Sequence, residues 1–506
     1  MTKLTNRMRH ILILILALNT GLMAQNKPDT QTMQLNLQEM IDLAKLQSIA
    51  SFRSKNMYLS NYWQFRSYKA SLLPALLFST NPFNYNRAVN EEYDFDEGIY
   101  KFVPNETLSS SADLSIRQNI TMTGGALNLT SSFRRLENLS PKEGVSGSSY
   151  TAIPIELRLS QPLNGYNEFK WQSKLAPLAF EKAKKSFIKE MEDLSEQAVG
   201  IFFGTINAEI GLNIATTNLA NADTLYRIGK GRYQIGTITQ NDLLDLELTY
   251  LNAKMSKTKA EIDLQRARNQ INSFLGISKE IKIIAIIPDE IPQLKIDADQ
   301  ALSLAKENSP EILGYEEQLI SANQKVARSR SSNGLTADLS ANFGVNSNSD
   351  TFNDLYNPPY NQNRGVGLTL KTPIVDWGNR KGQIQMAKSE RQVTEATIKQ
   401  SLIDFEQNII MQVLEFNLQE EQVAIAAKAD TIAQKGFEVT KQRFLIDKVD
   451  VLKLNTARNS LESSKRSYIG ALQTYWRSYF NIRKTTLYDF EKGIYLTEDF
   501  DALLQP

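Results

Sequence analysis

Apolar residues recur in alternating steps of four and three along one long stretch, at about residues 165–276. A period of 3.5 residues predicts helices with a coiled-coil seam, the apolar stripe by which one helix packs against another. The seam alone fits a soluble coiled coil equally well. Its twelve positions are Phe187, Met191, Leu194, Ala198, Ile201, Thr205, Ala208, Leu212, Ala215, Leu219, Ala222 and Tyr226.

The same pattern returns at an offset of 211, at about residues 376–483, and nine of its twelve positions are again apolar. A constant offset indicates an internal duplication, with one long helical hairpin in each half. A helix of about 60 residues would span ~90 Å, which no compact domain requires. The second set is Ile398, Leu402, Phe405, Ile409, Gln412, Phe416, Gln419, Val423, Ala426, Asp430, Ala433 and Phe437.

A shorter helical pattern opens each half, and these two patterns have a different offset. The residues around Ala44 recur around Ala305, which is an offset of 261. The hairpin offset is 211, so the first half holds 50 extra residues, and they fall between Ala44 and Gln161.

Between the opening helix and the hairpin, each half contains runs in which apolar and polar residues alternate. These runs predict β-strands, at about residues 75–161 and 335–372. The alternation fits membrane barrel strands with one lipid face and one wet face, and it also fits an ordinary half-buried sheet. The first half has room for two or four strands. We favour two strands from the first half in the same barrel as the strands of the second half. The extra pair of strands would then either form an added hairpin or enlarge the barrel.

The first 24 residues have the features of a secretory signal peptide, and cleavage is expected after Ala24. Lys3, Arg7 and Arg9 precede an apolar core from Ile11 to Leu18. The remaining chain divides into a first repeat over 25–287, a linker over 288–295, a second repeat over 296–490 and a tail over 491–506. No run of ~18 consecutive apolar residues follows the leader, so we predict no transmembrane helix there.

Composition narrows the chemistry. The chain has no Cys, and its one His, His10, lies in the predicted leader. These absences exclude Ser-His-Asp and Cys-His catalysis and the usual zinc sites from the mature chain, so we predict neither an enzyme nor a cofactor. The formal net charge of +1 gives no electrostatic case for nucleic-acid binding.

The repeated order of helix, strands and long helical hairpin resembles the TolC-like outer-membrane efflux protein family. The most specific residues lie where each hairpin reverses. Arg232-Tyr233-Gln234-Ile235-Gly236-Thr237 followed by Asn241-Asp242-Leu243 is similar to the family's tip motif. Arg443-Phe444-Leu445-Ile446 followed by Asp450-Val451-Leu452 is similar to a second copy.

The resemblance implies an α+β membrane protein in which three protomers share one outer-membrane β-barrel, continued by a long periplasmic α-helical coiled-coil barrel. It implies a homotrimer in outer-membrane lipid that works with a periplasmic adaptor protein and an inner-membrane pump of RND or ABC type. Such a chain is a passive duct for efflux or type I secretion. The competing hypotheses are a non-conducting periplasmic coiled-coil scaffold and, less favoured, an enzyme that uses carboxylates alone.

Acids brought together around a three-fold axis at the tips would form a charged constriction. The candidate gate residues are Asp242, Asp245, Asp447 and Asp450. Solvated turn and cap residues are the alternative for each of them. The candidate adaptor contacts are Arg232, Gly236, Thr237, Arg443 and Lys448.

The second tip departs from the family pattern because Asp447-Lys448 stands where Gly-Thr is usual. If Asp450 matches Asp242, the offset falls to 208 and the second turn is three residues shorter. The helix after the second tip can be aligned at either offset.

Overall fold

The structure, a computed structural model, describes most of the chain after the predicted leader. The described residues are 32–95, 97–139, 147–277, 282–288, 291–332, 334–357, 359–446, 448–449 and 451–504. The predicted signal peptide lies outside them. They form two compact units. One contains the described residues up to Ser51, Leu194–Pro292 and Gln419–Arg477, and the other contains Phe52–Asp193, Gln293–Leu418 and the described residues from Ser478 onward.

Helical segments alternate with strand-rich segments along the chain. The helices are α1 (Leu37–Gln47), α2 (Ile49–Ser71), α3 (Glu168–Gln234), α4 (Gln240–Leu275), α5 (Ala298–Asn308), α6 (Pro310–Ser332), α7 (Asn379–Leu445), α8 (Val451–Thr486) and α9 (Phe500–Leu503). The strands are β1 (Thr32–Leu35), β2 (Ala75–Asp94), β3 (Ile99–Ile120), β4 (Gly125–Asn138), β5 (Ser148–Pro162), β6 (Lys282–Ala285), β7 (Thr336–Ser349), β8 (Asn361–Lys371), β9 (Tyr488–Asp489) and β10 (Ile494–Tyr495).

The internal repeat is visible in the element lengths. Helices α3 and α7 both have 67 residues, and their starts at Glu168 and Asn379 have the same offset as the seam. Helices α4 and α8 both have 36 residues and keep that offset. The pair α1–α2 recurs as α5–α6 at the larger offset of the opening helices. The predicted α+β fold with a two-fold repeat is confirmed.

The predicted seam is also confirmed. None of its twelve positions on α3, and none of the twelve equivalent positions on α7, is exposed. Three of the positions on α7 are polar, and two of these are buried, with Gln419 7% and Asp430 8% exposed. The Gln434 amide donates to an Asp430 carboxylate oxygen at 2.9 Å, which offsets part of the cost of burying that carboxylate.

By length and composition, α3 could also cross a membrane, since its most apolar 18-residue window has a mean hydropathy of 1.4. The sequence led us to predict no spanning helix, because no uninterrupted apolar run was present. Of that window, 44% is buried inside the structure. A core helix passes the same test of length and composition, so this finding is weak support for a membrane span.

Six strands form one antiparallel sheet in the order β2-β3-β4-β5-β7-β8. The first half therefore supplies four strands, where we favoured two. Strands β4 and β7 start at Gly125 and Thr336, which keeps the hairpin offset, whereas α2 and α6 end at Ser71 and Ser332, which keeps the larger one. The extra residues of the first half therefore lie between Ser71 and Gly125 and form the β2–β3 hairpin.

The two faces of this sheet differ in chemistry. Register pairing places Leu76, Ile116, Leu129, Leu157 and Phe343 in one row across five strands. Four of these five side chains are 39–66% exposed, so the described part of the chain does not cover the apolar face. The row on the opposite face is polar and contains Arg117, Asn128, Arg158 and Asn342.

A cluster of charges is buried in the unit that contains the sheet. The Arg483 guanidinium donates to Glu192 and to Asp489, each at 2.8 Å, and the three side chains are only 13%, 4% and 2% exposed. Burial alone would lower the pKa of Arg483, but the surrounding carboxylates and Tyr479 outweigh it and raise the pKa. The Tyr479 hydroxyl donates to Asp489 at 3.2 Å. Arg483 therefore supplies a shared positive charge to two carboxylates that are buried away from water.

Candidate functional site

The first candidate tip is the five-residue turn between α3 and α4, residues 235–239. The Arg232 carbonyl accepts hydrogen bonds from both the backbone N–H and the hydroxyl of Thr237, each at 2.9 Å. Gly236 has φ of +75°, a conformation that costs a residue with a Cβ atom about 1–2 kcal/mol. The tip motif in the sequence therefore encodes a helix end closed by a left-handed glycine.

Helix α4 starts with a capping box. The Thr239 side chain accepts from the Asp242 backbone N–H at 3.2 Å, and the Asp242 carboxylate accepts from the Thr239 N–H at 3.0 Å and from its hydroxyl at 2.6 Å. These bonds lower the pKa of Asp242. A lowered pKa means that the ionised carboxylate stabilises the folded tip. That contribution is full above the ordinary value of 3.8 and is lost as the pH falls through the lowered pKa.

Asp245 lies one helical turn after the cap and differs from Asp242 in its contacts. Its side chain is exposed, and within the described residues its carboxylate makes no hydrogen bond or ion pair. It borders a cleft of about 380 Å³ that Arg232, Ile238, Asp242 and Leu246 also line. Of the two acids predicted at this tip, Asp242 is held by Thr239, whereas the Asp245 carboxylate has no such partner within the described residues.

The second candidate tip has the same length as the first. The Lys448 N–H donates to the Arg443 carbonyl at 2.9 Å, which reproduces the bond from Thr237 to Arg232. Helix α8 begins at Val451 and α4 begins at Gln240, so the offset of the long helices is unchanged across the tip. The alternative of a turn shorter by three residues is therefore wrong.

This alignment changes how the acids of the two tips correspond. At an offset of 211, Asp242 matches Lys453, Gly236 matches Asp447 and Thr239 matches Asp450. Asp447 and Asp450 lie outside the described residues, so their role at a gate stays a prediction. The sequence misled us because an Asp stands just before an apolar pair at both tips.

The adaptor-contact candidates are accessible. Arg232, Thr237, Arg443 and Lys448 are all exposed. The two arginine side chains form no ion pair within the described part of the chain, so the alternative that they pair with the tip acids finds no support there.

Two exposed apolar stripes lie along the long helices, and the sequence analysis missed both. On α4 the stripe comprises Leu244, Leu248, Leu251, Met255 and Ile262, each 52–68% exposed. On α7 the stripe comprises Met411, Leu418, Ile425, Ile432 and Val439, at steps of seven residues and each 52–62% exposed. Both follow coiled-coil spacing. The signal was present as a second heptad pattern beside the buried seam.

A polar cluster further along α8 was also not predicted. The Arg458 guanidinium donates to the Asn218 side chain at 2.6 Å. Burial lowers the pKa of Arg458 and raises that of Glu462, one turn away on the same helix. The spacing of four residues between this Arg and Glu was the available signal. Among the described residues, no group of three or more His, Cys, Asp or Glu side chains is placed to hold a metal ion.

Solved structures share this fold over nearly the whole chain. The outer membrane channel CmeC of Campylobacter jejuni has 15% identity and a TM-score of 0.63, covering 92% of this chain and 88% of its own. The outer membrane protein VceC of Vibrio cholerae has 12% identity and a TM-score of 0.56, covering 91% and 96%. The open state of the outer membrane channel MtrE of Neisseria gonorrhoeae has 15% identity and a TM-score of 0.55, covering 91% and 90%. At these identities the likeness concerns the fold.

The sequence itself matches a family profile. By sequence, no curated protein matches the chain. The profile described as outer membrane efflux protein matches residues 116–277 and 301–486, more than half of the chain. The chain therefore belongs to the outer membrane efflux protein family and is an outer-membrane protein whose helical part lies in the periplasm.

Proposed function

We propose that this protein is a homotrimeric outer-membrane channel, the exit duct of a tripartite efflux or type I secretion system. The duct is passive. A periplasmic adaptor and an inner-membrane pump of RND or ABC type drive the cargo, and the channel does no chemistry on it. The proposal rests mainly on two apolar surfaces that the described residues of one chain leave uncovered, one on the sheet and one on the long helices.

The sheet supports the membrane part of the proposal. Its exposed row of Leu76, Ile116, Leu157 and Phe343 stands on the face opposite to Arg117 and Arg158. A soluble sheet would cover such a row with helices or a second sheet. Lipid covers it in a membrane barrel, whose strands alternate between an apolar outer face and a polar lumen.

The helices support self-assembly. The exposed stripes on α4 and α7 have the spacing of coiled-coil seams, and the chain itself offers them no partner within the described residues. A monomer with two such stripes would expose more apolar surface than a soluble protein tolerates. We propose that neighbouring copies cover them in a closed ring.

The tips support a contact with another protein. The candidate contact residues are exposed at the helix ends, and they are Arg232, Thr237, Arg443 and Lys448. The three charged side chains among them form no ion pair within the described residues. We propose that these residues and the turn at Gly236 receive the periplasmic adaptor, and that Asp245 contributes to the constriction of the duct. Asp447 and Asp450 remain gate candidates on sequence grounds.

The test is single-channel recording in a planar bilayer, with the purified protein shown to be folded and trimeric. The proposal expects discrete, cation-selective steps. A folded trimer with no conductance under any voltage would contradict the duct and favour the alternative, a non-conducting periplasmic scaffold. The scaffold also predicts fractionation with the soluble periplasm, whereas the duct predicts the outer-membrane fraction.

A further inference from the structure

The β2–β3 hairpin, Ala75–Ile120, is the one part of the sheet that the second repeat lacks. The second repeat joins α6 to β7 with only residues 333–335, whereas the first joins α2 to β4 with residues 72–124. Without the hairpin, each half would supply two strands. A trimer built from the repeat alone would therefore have twelve strands.

The hairpin continues the sheet without a break. Strands β3 and β4 pair in uninterrupted register from Thr107 opposite Asn138 to Ile120 opposite Gly125. Leu76 and Ile116 extend the apolar row of β4 and β5 at the same height, while Arg117 extends the polar row. If the hairpin formed a separate lid, its apolar and polar residues would not need to fall in the same rows as those of β4 and β5.

The base of the hairpin is fixed beside the helix ends. The side-chain amides of Gln118 and Asn119 donate to the carbonyls of Leu72 and Ser71 at 3.1 and 3.2 Å. The Asn167 amide, just before α3, donates to the carbonyl of Thr121 in the β3–β4 turn at 3.0 Å. These bonds hold β2 and β3 at the level where β4 and β5 also begin and end.

We propose that the hairpin is part of the barrel wall, so that each chain gives six strands and three copies close a barrel of eighteen. This inference rests on the trimer proposed above. The outer edges of β2 and β8 have no strand partner within the described residues, and β2 leaves a helix whereas β8 leads into one. The two edges of neighbouring copies are therefore antiparallel, as barrel closure requires.

The consequence is a wider lumen. Barrel diameter grows roughly in proportion to strand number, so eighteen strands give about 1.5 times the diameter of twelve. Barrels of about 16–18 strands leave an open aqueous channel. The sheet would then admit cargo bulkier than a barrel built from the repeat alone could pass.

The test is cysteine cross-linking, which is possible because the chain has no Cys of its own. Ser79→Cys on β2 is combined with Asn363→Cys, Thr369→Cys or Lys371→Cys on the same face of β8, and intact cells are treated with a short bifunctional maleimide. The matched control replaces Ser79→Cys by Ser132→Cys on β4. The inference expects covalent dimers and trimers from the β2 pairs and only monomers from the β4 pairs.

Each other outcome is equally decisive. Intermolecular products from the β4 pairs alone would place the hairpin outside the wall, which overturns the inference but keeps the trimer. Products confined to single chains, or none from either set, would overturn the shared barrel and the inference together. As a second measurement, residues 72–124 are replaced by Asn-Gly-Leu, the link of the second repeat. We expect polymers entering from the loop side to be excluded at about two-thirds of the original diameter, and an unchanged limit would contradict the inference.

Discussion

Two aspartates at the first tip, three residues apart, have different surroundings. The Asp242 carboxylate is occupied by the N–H and hydroxyl of Thr239, whereas the Asp245 carboxylate has no such bond within the described residues. Sequence spacing alone could not separate them, because both are acids in the first turns of one helix. What distinguishes them is the cap geometry, which depends on where the helix begins.

Neutralising Asp245 should reduce cation selectivity. A unit charge ~4 Å from a passing ion is worth about 1 kcal/mol in water, or roughly fivefold in relative permeability. We expect Asp245→Asn to lower the cation-to-anion permeability ratio by up to that factor, measured as the reversal potential in a salt gradient. Asp242→Asn serves as the comparison variant, because the hydrogen bonds from Thr239 hold the Asp242 carboxylate at the cap and keep it from turning toward a passing ion. An equal effect from both variants would count against Asp245 as a gate residue.

The buried charge cluster around Arg483 should be sensitive to loss of its cation. Arg483→Met would remove the guanidinium that pairs with both Glu192 and Asp489 in a buried site, and breaking a buried pair typically costs about 3–5 kcal/mol. Urea unfolding of the detergent-solubilised protein, followed by circular dichroism, measures the loss. Arg266→Met is the control, since its pair with Asp263 lies at the surface and is worth about 0–1 kcal/mol. If Arg483→Met lowers the free energy of unfolding no more than Arg266→Met does, the prediction is contradicted.

At the scale of elements, the reversal of the first hairpin depends on the backbone conformation of Gly236. Gly236→Ala should destabilise the first tip by about 1–2 kcal/mol, because φ of +75° is unfavourable with a Cβ atom. No atom lies within 4 Å of the added Cβ, so the cost would come from the backbone alone. Amide hydrogen exchange at the tip reports the local opening.

Gly231→Ala is the matched control for this prediction. Gly231 lies in α3 and its added Cβ also meets nothing within 4 Å. Because alanine favours a helix by about 0.5–1 kcal/mol over glycine, this variant should slow exchange where Gly236→Ala speeds it. Two changes in the same direction would rule out the proposed role of the positive φ.

The element boundaries show how far the sequence could lead. The constant offset placed both hairpins, because the seam repeats over many turns and each turn adds evidence. The second tip was ambiguous, because a turn this short holds few positions to align and Asp450 resembles Asp242 in its surroundings. The bond from Lys448 to the Arg443 carbonyl resolves the question, and a backbone bond of this kind leaves no mark on side-chain identity.

For the whole molecule, the exposed stripe on α4 should decide assembly. Leu248→Glu would place a charge in the stripe that we propose neighbouring copies cover, where each buried leucine would contribute about 1.5–3 kcal/mol. We expect the trimer to dissociate in detergent, measured by light scattering after gel filtration, while helix content is retained. Ser256→Glu, which is exposed on the same helix but off the stripe, should remain trimeric. A trimeric Leu248→Glu variant would contradict this role of the stripe.

The strand count shows where whole-molecule prediction fell short. The difference between the two offsets gave the size of the insertion but placed it only between Ala44 and Gln161. Alternating residues cannot report which strand pairs with which, because every strand in such a sheet has the same period. The choice between two and four strands needed the register of β3 with β4.

The two unpaired outer edges of the sheet have a consequence for biogenesis. In the proposed trimer, β2 and β8 pair only with neighbouring copies, so a chain that has not yet met those copies presents both edges to the periplasm, together with an apolar face that the described residues do not cover. Unpaired strand edges of this kind are templates for aggregation. We therefore expect overproduction to yield aggregates before it yields more channels.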